Sequence, residues 1–270
     1  MSKRLILIGA IFFCLIIGLI FMITRVDGFE FIGLIASILI LVIYLILIRS
    51  EKNSFNNIIL EYSASCNTKK YIDNLKKFQK KVFQTKRNKA TFNLFLASAY
   101  VDSGKFDLAL PILLSFDENQ KYMDSSTILL YLKVWSEYYY YTLDALKMKE
   151  VLDKMKDIID KTNDKRKKIE FGFLYSYQEA KYFVLSGNNL NDAMNLFEKR
   201  KAILPTSGVA MISNVYHMAL CNLRMKNYNI AYSLFKKLAE SKAATLDDTL
   251  YIIRKAGSFY CELEHVIKEV

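Results

Sequence analysis

Two long uncharged apolar runs near the N terminus constrain this chain more than any other feature. Residues 5–23 contain 17 apolar side chains in 19 positions, and residues 31–48 contain 16 in 18. A helix that crosses the roughly 30 Å hydrocarbon core of a bilayer needs about 20 such residues. Both runs meet this requirement, so residues 1–50 are predicted to form a transmembrane helical hairpin with a polar connector at residues 24–30.

The distribution of Lys and Arg predicts the orientation of this hairpin. Basic residues are retained on the cytoplasmic side of a membrane. We therefore expect a cell-membrane protein with two spans, both termini cytoplasmic and a cytosolic domain at residues 51–270. A cleaved signal peptide is the alternative for residues 1–23, but no small-residue cleavage site follows the run. The flanking basic residues are Lys3 and Arg4 before the first span, Arg25 in the connector, and Arg49 and Lys52 after the second.

The remainder of the chain is predicted to be all-α. Apolar residues after residue 50 recur at steps of three and four, separated by short clusters of Asn, Asp, Gly and Lys. This spacing is typical of consecutive amphipathic helices. Two prolines and nine glycines in 270 residues also disfavour a turn-rich all-β fold.

A helix–turn–helix pattern repeats along the cytosolic part. Residues 90–116 contain two apolar-periodic segments around a turn at residues 103–105. Small residues permit close approach of the paired helices, and aromatic residues fill the wedge between them. These positions resemble the tetratricopeptide repeat (TPR) pattern, which implies stacked helix pairs. The matching residues are Leu96, Ala97, Tyr100, Gly104, Phe106, Ala109 and Leu113.

The same pattern returns in residues 174–205 and 212–239, and more weakly in residues 55–83 and 127–159. Residues 247–267 supply a closing helix, as repeat arrays require. We therefore predict a TPR-like helical repeat solenoid over residues 51–270; an ordinary helical bundle is the alternative. The small residue that opens each second helix sets the predicted register: Asn74, Ala109, Ala145, Ala193 and Ala231.

One short segment carries most of the positive charge. The chain has a net charge of +11, and residues 69–89 alone contribute +8. Basic residues near an anionic inner leaflet contribute about 1 kcal/mol each to membrane binding. We expect this segment to contact anionic phospholipid, with a solvated helix face as the alternative. Nucleic acid is disfavoured as a partner, because no reader motif accompanies the charge. The basic residues are Lys69, Lys70, Lys76, Lys77, Lys80, Lys81, Lys86, Arg87 and Lys89.

Aromatic residues crowd the first helix of the third repeat. Four consecutive tyrosines, residues 138–141, point around the helix, so at least one is expected to be exposed. In TPR-like arrays the first helices line a concave groove, and the resemblance implies a protein or peptide partner there. Packing between repeats is the alternative for most of these rings. The expected groove residues are Trp135, Tyr138, Tyr139 and Tyr141.

Signatures of catalysis are absent from the sequence. No Gly-rich phosphate loop, nucleophile elbow or His-Glu-x-x-His motif occurs, so we expect neither an enzyme nor a cofactor. Two His/Cys pairs at a spacing of four could together hold zinc if their helices met. Burial of the cysteines as small apolar side chains is the simpler interpretation. These residues are His217 and Cys221 on one helix, and Cys261 and His265 on the closing helix.

Together these features predict a membrane-anchored adaptor or scaffold whose repeat groove binds a protein or peptide at the cytoplasmic face. A peptide-responsive sensor or regulator at the membrane is the alternative. The Lys-, Ile- and Asn-rich composition suggests a bacterial source. An enzyme would require polar residues that converge on a pocket, and the sequence does not indicate any.

Overall fold

The computed structural model describes residues 29–81, 86–116, 123–205, 208–246 and 248–268. Within these ranges the chain forms eleven α-helices and one short 3₁₀ helix, and no strand. The predicted all-α class is therefore confirmed for the described residues. The first predicted span, residues 5–23, lies outside them. Side chains are not described at residues 29–40, 44, 47, 48, 81, 86, 87 and 266–268.

The helices follow one another with short connections. They are α1 (Phe29–Ser65), α2 (Thr68–Lys81), α3 (Lys86–Asp102), α4 (Phe106–Leu114), α5 (Ser125–Tyr141), α6 (Ala145–Asp160), α7 (Lys165–Ser186), α8 (Leu190–Ile203), α9 (Val209–Arg224), α10 (Tyr228–Ala239), the 3₁₀ helix (Lys242–Thr245) and α11 (Tyr251–Lys268).

Helix α1 joins the second predicted span to the rest of the chain without a break. Its N-terminal half contains residues 31–48, and its C-terminal half packs against α2 and α9. Among the helices as they are described, none is identified as long and apolar enough to cross a membrane. Five side chains from the apolar half are described, and all are exposed: Leu41, Val42, Ile43, Leu45 and Ile46.

Consecutive helices pack side by side in two layers. The helices of each pair are joined by two or three residues, so they run antiparallel. The odd-numbered helices α3, α5, α7, α9 and α11 also contact one another in succession and form an inner layer, while the even-numbered helices lie outside. The helix pairs predicted from residues 90–116, 174–205 and 212–239 correspond to α3–α4, α7–α8 and α9–α10.

The turns between paired helices use left-handed backbone at defined positions. Gly104, Leu143 and Lys226 occupy equivalent turn positions, with φ of 74°, 62° and 64°. Asp144 then caps α6 by accepting a hydrogen bond from the backbone N–H of Lys147 at 3.0 Å. This cap satisfies one of the N-terminal amides that a helix leaves unpaired.

The predicted register is wrong in two of the five pairs. The fourth residue of each second helix is the one buried against the first helix; it is Ala109, Ala193 and Ala231 in three pairs, each with no exposed surface. In α2 and α6 the fourth residues are Tyr71 and Met148, both buried, whereas Asn74 and Ala145 are half-buried. Tyr71 and Met148 are large, so a pattern of small residues does not mark the close-approach position in these two pairs.

The two ends of the array fold back onto each other. Helix α11 contacts α3, and a Cβ atom added at Gly104 would lie 2.5 Å from Cδ2 of the Tyr251 ring. Nη2 of Arg254 donates a hydrogen bond to the carbonyl of Ser103 at 2.7 Å. Thr68 Oγ1 also donates to the carbonyl of Asp248, at 2.7 Å. The two ends of the array therefore meet at α3 and α11, and we call the space between the inner helices the lumen.

Candidate functional site

The lumen contains a cluster of charged groups, which we call the ion cluster (Asp102, Lys133, Glu137 and Lys181). Glu137 and Lys181 are buried, and Asp102 and Lys133 are half-buried. Nζ of Lys181 lies 3.3 Å from Oε1 of Glu137, and Nζ of Lys133 lies 2.9 Å from Oε2 of the same carboxylate. The Lys181 side chain is 1% exposed and that of Glu137 is 9% exposed. The Glu137 carboxylate of α5 thus contacts two ammonium groups, Lys133 on the same helix and Lys181 on α7.

Asp102 joins this cluster from the end of α3. The hydroxyl of Tyr62, on α1, donates a hydrogen bond to Oδ2 of Asp102 at 2.7 Å. The Tyr62 ring stacks on Tyr71 with a centroid separation of 4.0 Å. This chain of contacts connects the C-terminal half of α1 to the polar interior of the lumen.

Burial and mutual attraction shift the pKa values of these groups in opposite directions. Burial raises the pKa of Asp102 to about 6, and the nearby Glu137 carboxylate adds to this shift. Burial also opposes ionisation of Glu137, but the two neighbouring ammonium groups outweigh it and lower the pKa of Glu137 to about 2. Burial lowers the pKa of Lys181. Glu137 is thus the permanently charged centre, and Asp102 is the group that titrates near neutral pH.

The raised pKa of Asp102 predicts a pH-dependent effect of Asp102→Asn. The Asp102 carboxyl has a higher pKa in the folded protein than in the unfolded chain, so the folded state binds its proton more tightly. Its contribution to stability is therefore fully present below pH 4, near the pKa of an unfolded aspartate. That contribution is lost as the pH rises through about 6. The unfolding free energy of the variant should therefore rise relative to the natural protein by roughly 2 kcal/mol between pH 4 and pH 7. Urea titrations across this range measure the difference. The exposed Asp153→Asn serves as control, and an equal slope in both variants would contradict the assignment.

A second polar group lies beside the ion cluster. His217 is fully buried, and its Nδ1 lies 3.2 Å from the hydroxyl of Tyr177. The guanidinium of Arg200 stands 3.7 Å from the centroid of the Tyr177 ring. Burial lowers the pKa of His217 well below its usual value, and the Lys181 charge adds to this shift. His217 is therefore neutral at physiological pH.

The four zinc candidates are not brought together. His217 and Cys221 are buried within α9, whereas Cys261 and His265 are exposed on α11. In the part of the chain that the structure describes, no group of three or more His, Cys, Asp or Glu side chains could hold a metal ion. The thiol of Cys221 donates a hydrogen bond to the carbonyl of Leu190, and burial raises the pKa of Cys221 to about 11. This cysteine therefore behaves as a small buried side chain.

The aromatic residues predicted to line a groove pack mainly against one another. The Trp135 ring stacks on Tyr139 at 5.0 Å, and Tyr138 meets Phe106 of α4 edge to face at 6.0 Å. Tyr140 is buried and the other three tyrosines are half-buried. Tyr138, Tyr139 and Tyr141 therefore each keep part of their surface accessible to solvent, although packing within the array covers most of it.

Tyr141, one of the predicted groove residues, lines a cavity, which we call the lumen cavity. It has a volume of about 470 Å³ and lies between α5, α7, α9 and α11. Tyr251 of α11 closes over Tyr141, with ring centroids 5.6 Å apart. The cavity is lined by Tyr140, Tyr141, Leu143, Val184, Leu185, Tyr216, Leu220, Leu223, Arg224, Tyr251, Lys255 and Phe259.

The basic segment is divided between paired and exposed lysines. Lys69 forms an ion pair with Asp248 at 3.6 Å, and Lys70 forms one with Glu61. Nζ of Lys76 lies 5.6 Å from the centroid of the Tyr100 ring. Lys77, Lys80 and Lys89 are exposed. The side chains of Lys81, Lys86 and Arg87 lie outside the described part.

Sequence reasoning missed the ion cluster. Its signal was Lys133 and Glu137, which lie four residues apart within the otherwise apolar sequence of α5, together with Lys181 in α7. Charged residues on a buried helix face require partners. The pairing itself depends on how α5 and α7 meet, which one helix sequence does not specify.

Comparisons with known proteins found no match to any family model, curated protein or solved structure.

Proposed function

We propose that this protein is a membrane-anchored, TPR-like helical scaffold that holds a protein or peptide partner at the cytoplasmic membrane surface. The observation that carries the proposal is the continuity of α1, which runs from the uncharged apolar segment 31–48 into the packed helical array. A single helix with no hinge fixes the array at a defined distance from the bilayer. The exposed apolar side chains of residues 41–43 suit a lipid environment.

The proposed anchor comprises residues 5–23 and 31–48, with both termini and the array in the cytoplasm. At 1.5 Å per residue, segment 31–48 spans about 27 Å, close to the thickness of a bilayer core. The lumen cavity, with a volume of about 470 Å³, offers little room for an extended peptide, so the scaffold's partner would contact the outer layer. We propose no catalytic role, because the ion cluster neutralises its own charges and presents no activated nucleophile.

The packing of α2 on α1 brings selected lysines close to the proposed bilayer surface. Phe55 of α1 packs against Phe78 of α2, and Tyr62 packs against Tyr71, so the two helices run antiparallel. Continuing this register by two residues places Lys80 level with residue 53. Lys77 and Lys80 then lie about 8–12 Å beyond the end of the apolar segment, whereas Lys69 lies about 24 Å away. The Debye length is about 10 Å at 0.1 M salt, so only the nearer lysines interact with anionic headgroups.

This geometry predicts different effects for two matched double variants. The effect of anionic lipid is measured as the change in energy transfer between a label on the array and a dye at the lipid headgroups. The variant Lys77→Gln/Lys80→Gln should lose at least half of this change. The variant Lys69→Gln/Lys70→Gln removes the same charge farther from the bilayer and should retain it. The full chain, with Cys14→Ser, is labelled at the exposed Cys261. Energy transfer to a headgroup dye is compared in nanodiscs with and without phosphatidylglycerol, at low and high salt.

Burial makes the other two cysteines of the array poor labelling sites, since it raises the pKa of both Cys66 and Cys221 to about 11. Equal loss of the lipid effect in the two double variants would indicate a general charge effect and contradict the proposed orientation. Energy transfer that is indifferent to anionic lipid in the natural protein would contradict the lipid contact itself.

A sensor or regulator is the second candidate, and the lumen cavity favours it. The cavity is lined by side chains from four inner helices, so an occupant would contact all of them and alter their packing. The cavity walls carry few groups that could satisfy a peptide backbone, so a small ligand fits this role better than a peptide.

A further inference from the structure

The lumen cavity has the dimensions of a small-molecule site. Its volume of about 470 Å³ falls within the range of about 300–1,000 Å³ that ligand pockets occupy. The inner helices α5, α7, α9 and α11 each contribute side chains to its wall, and residues on the wall are held by packing within the array. The shape of the site is therefore set by the packing of the array itself.

The chemistry of the wall restricts the ligand. Six aliphatic or phenyl side chains and four tyrosines line the cavity, with no amide, no Ser or Thr hydroxyl and no carboxylate among the lining side chains. A buried peptide would leave its backbone N–H and C=O groups without enough partners, at a cost of about 1–3 kcal/mol for each group. An aliphatic chain has no such groups and gains free energy for each buried methylene.

Two cations define the polar end of the cavity. Arg224 ends α9 and Lys255 lies one turn into α11; both line the cavity and both are exposed, so they stand at its mouth. Nζ of Lys255 lies 5.7 Å from the centroid of the Tyr251 ring. Within the described residues neither cation forms an ion pair with a carboxylate. The mouth is thus complementary to an anionic group on a ligand whose chain enters the cavity.

We propose that the lumen cavity binds a single-chain aliphatic carboxylate, a fatty acid, with the chain among the apolar side chains and the carboxylate at Arg224 and Lys255. A single aliphatic chain suits one cavity of about 470 Å³, whereas a phospholipid would have to place two chains there. This site is independent of the proposed anchor and of the lysines on α2, so either proposal can fail without the other.

Binding of dansyl undecanoate to the full chain in nanodiscs tests this site, with empty nanodiscs as the blank. We expect saturable binding of one probe per chain, displaced by decanoate and displaced about tenfold more weakly by decanol, which lacks the charge. The double variant Arg224→Gln/Lys255→Gln should bind the probe about fivefold to tenfold more weakly, as for two partly solvated ion pairs. The control Lys167→Gln/Lys199→Gln removes equal charge from exposed positions and should bind normally.

A bulky substitution tests the location of the chain. Leu220→Trp and Leu185→Trp each place an indole in the cavity and should abolish saturable binding. Unfolding temperature and near-ultraviolet circular dichroism show whether each tryptophan variant folds. If neither folds, the Arg224→Gln/Lys255→Gln variant and its control decide whether the site exists. Equal displacement by decanol and decanoate would overturn the carboxylate assignment. Stronger displacement by lysophosphatidylglycerol or by a hydrophobic tripeptide would overturn the choice of a fatty acid.

Discussion

Replacing Glu137 with glutamine should lower the free energy of unfolding by about 3–5 kcal/mol, the usual cost of leaving a buried charge without its partner. Lys181 is 1% exposed and its only ion-pair partner among the described residues is Glu137. Glutamine preserves the size of the side chain and one acceptor oxygen, but it removes the negative charge that compensates Lys181 and Lys133. The loss is therefore electrostatic and does not reflect a cavity.

A pH series distinguishes this cause from a packing defect. Burial lowers the pKa of Lys181 already, and removal of Glu137 lowers it further. A lysine with a depressed folded-state pKa destabilises the fold while it is protonated, and stability returns as the pH rises from the folded toward the unfolded pKa. The deficit in Glu137→Gln should thus shrink between pH 7 and pH 10. A packing defect would show no such recovery.

Urea titration of the full chain in nanodiscs, followed by the fluorescence of Trp135, measures the effect. Trp135 is the only tryptophan and lies two residues from Glu137. The control Glu198→Gln breaks an exposed ion pair with Lys201 and should cost less than about 1 kcal/mol. The double variant Glu137→Gln/Lys181→Met should recover part of the loss. A loss in Glu137→Gln no larger than in the control would contradict the buried pair.

The sequence predicted the helix pairs well, because each boundary has a local cause. The turn at residues 103–105 contains a glycine in the left-handed region, and α4 begins at Phe106 as expected. The spacing of apolar residues by three and four is also reflected in α2, where Tyr71 and Leu75 are buried while Lys76 and Lys77 are exposed. Periodicity and turn residues report on one helix at a time, so they suffice for these features.

Features that depend on distant helices could not be predicted. The contact of α11 with α3, which closes the lumen, joins residues about 150 positions apart, as in the hydrogen bond from Arg254 to Ser103. That contact places the Tyr251 ring against Tyr141 at the wall of the lumen cavity. The small curvature at each repeat accumulates along an array, so a local pattern does not determine where its ends meet.

The largest change in the molecule's arrangement is expected from charges placed in the second proposed span. Three aspartates near the centre of a transmembrane helix cost about 8–10 kcal/mol of insertion free energy. In the variant Leu41→Asp/Val42→Asp/Ile43→Asp we expect residues 31–48 to remain outside the bilayer. The first span still inserts with Lys3 and Arg4 inside, because acidic residues contribute little to orientation. The array should then face the opposite side of the membrane.

Protease accessibility in bacterial spheroplasts measures this inversion in the full chain. The array of the natural protein should be protected in intact spheroplasts and digested after lysis, whereas the array of the triple variant should be digested in both. Leu108→Asp/Leu146→Asp/Ile169→Asp provides a matched control, because it places three aspartates on exposed apolar positions of the array and should leave the orientation unchanged. Continued protection of the triple variant would show that residues 31–48 do not cross the membrane. Its appearance in the soluble fraction would show instead that residues 5–23 do not anchor the chain.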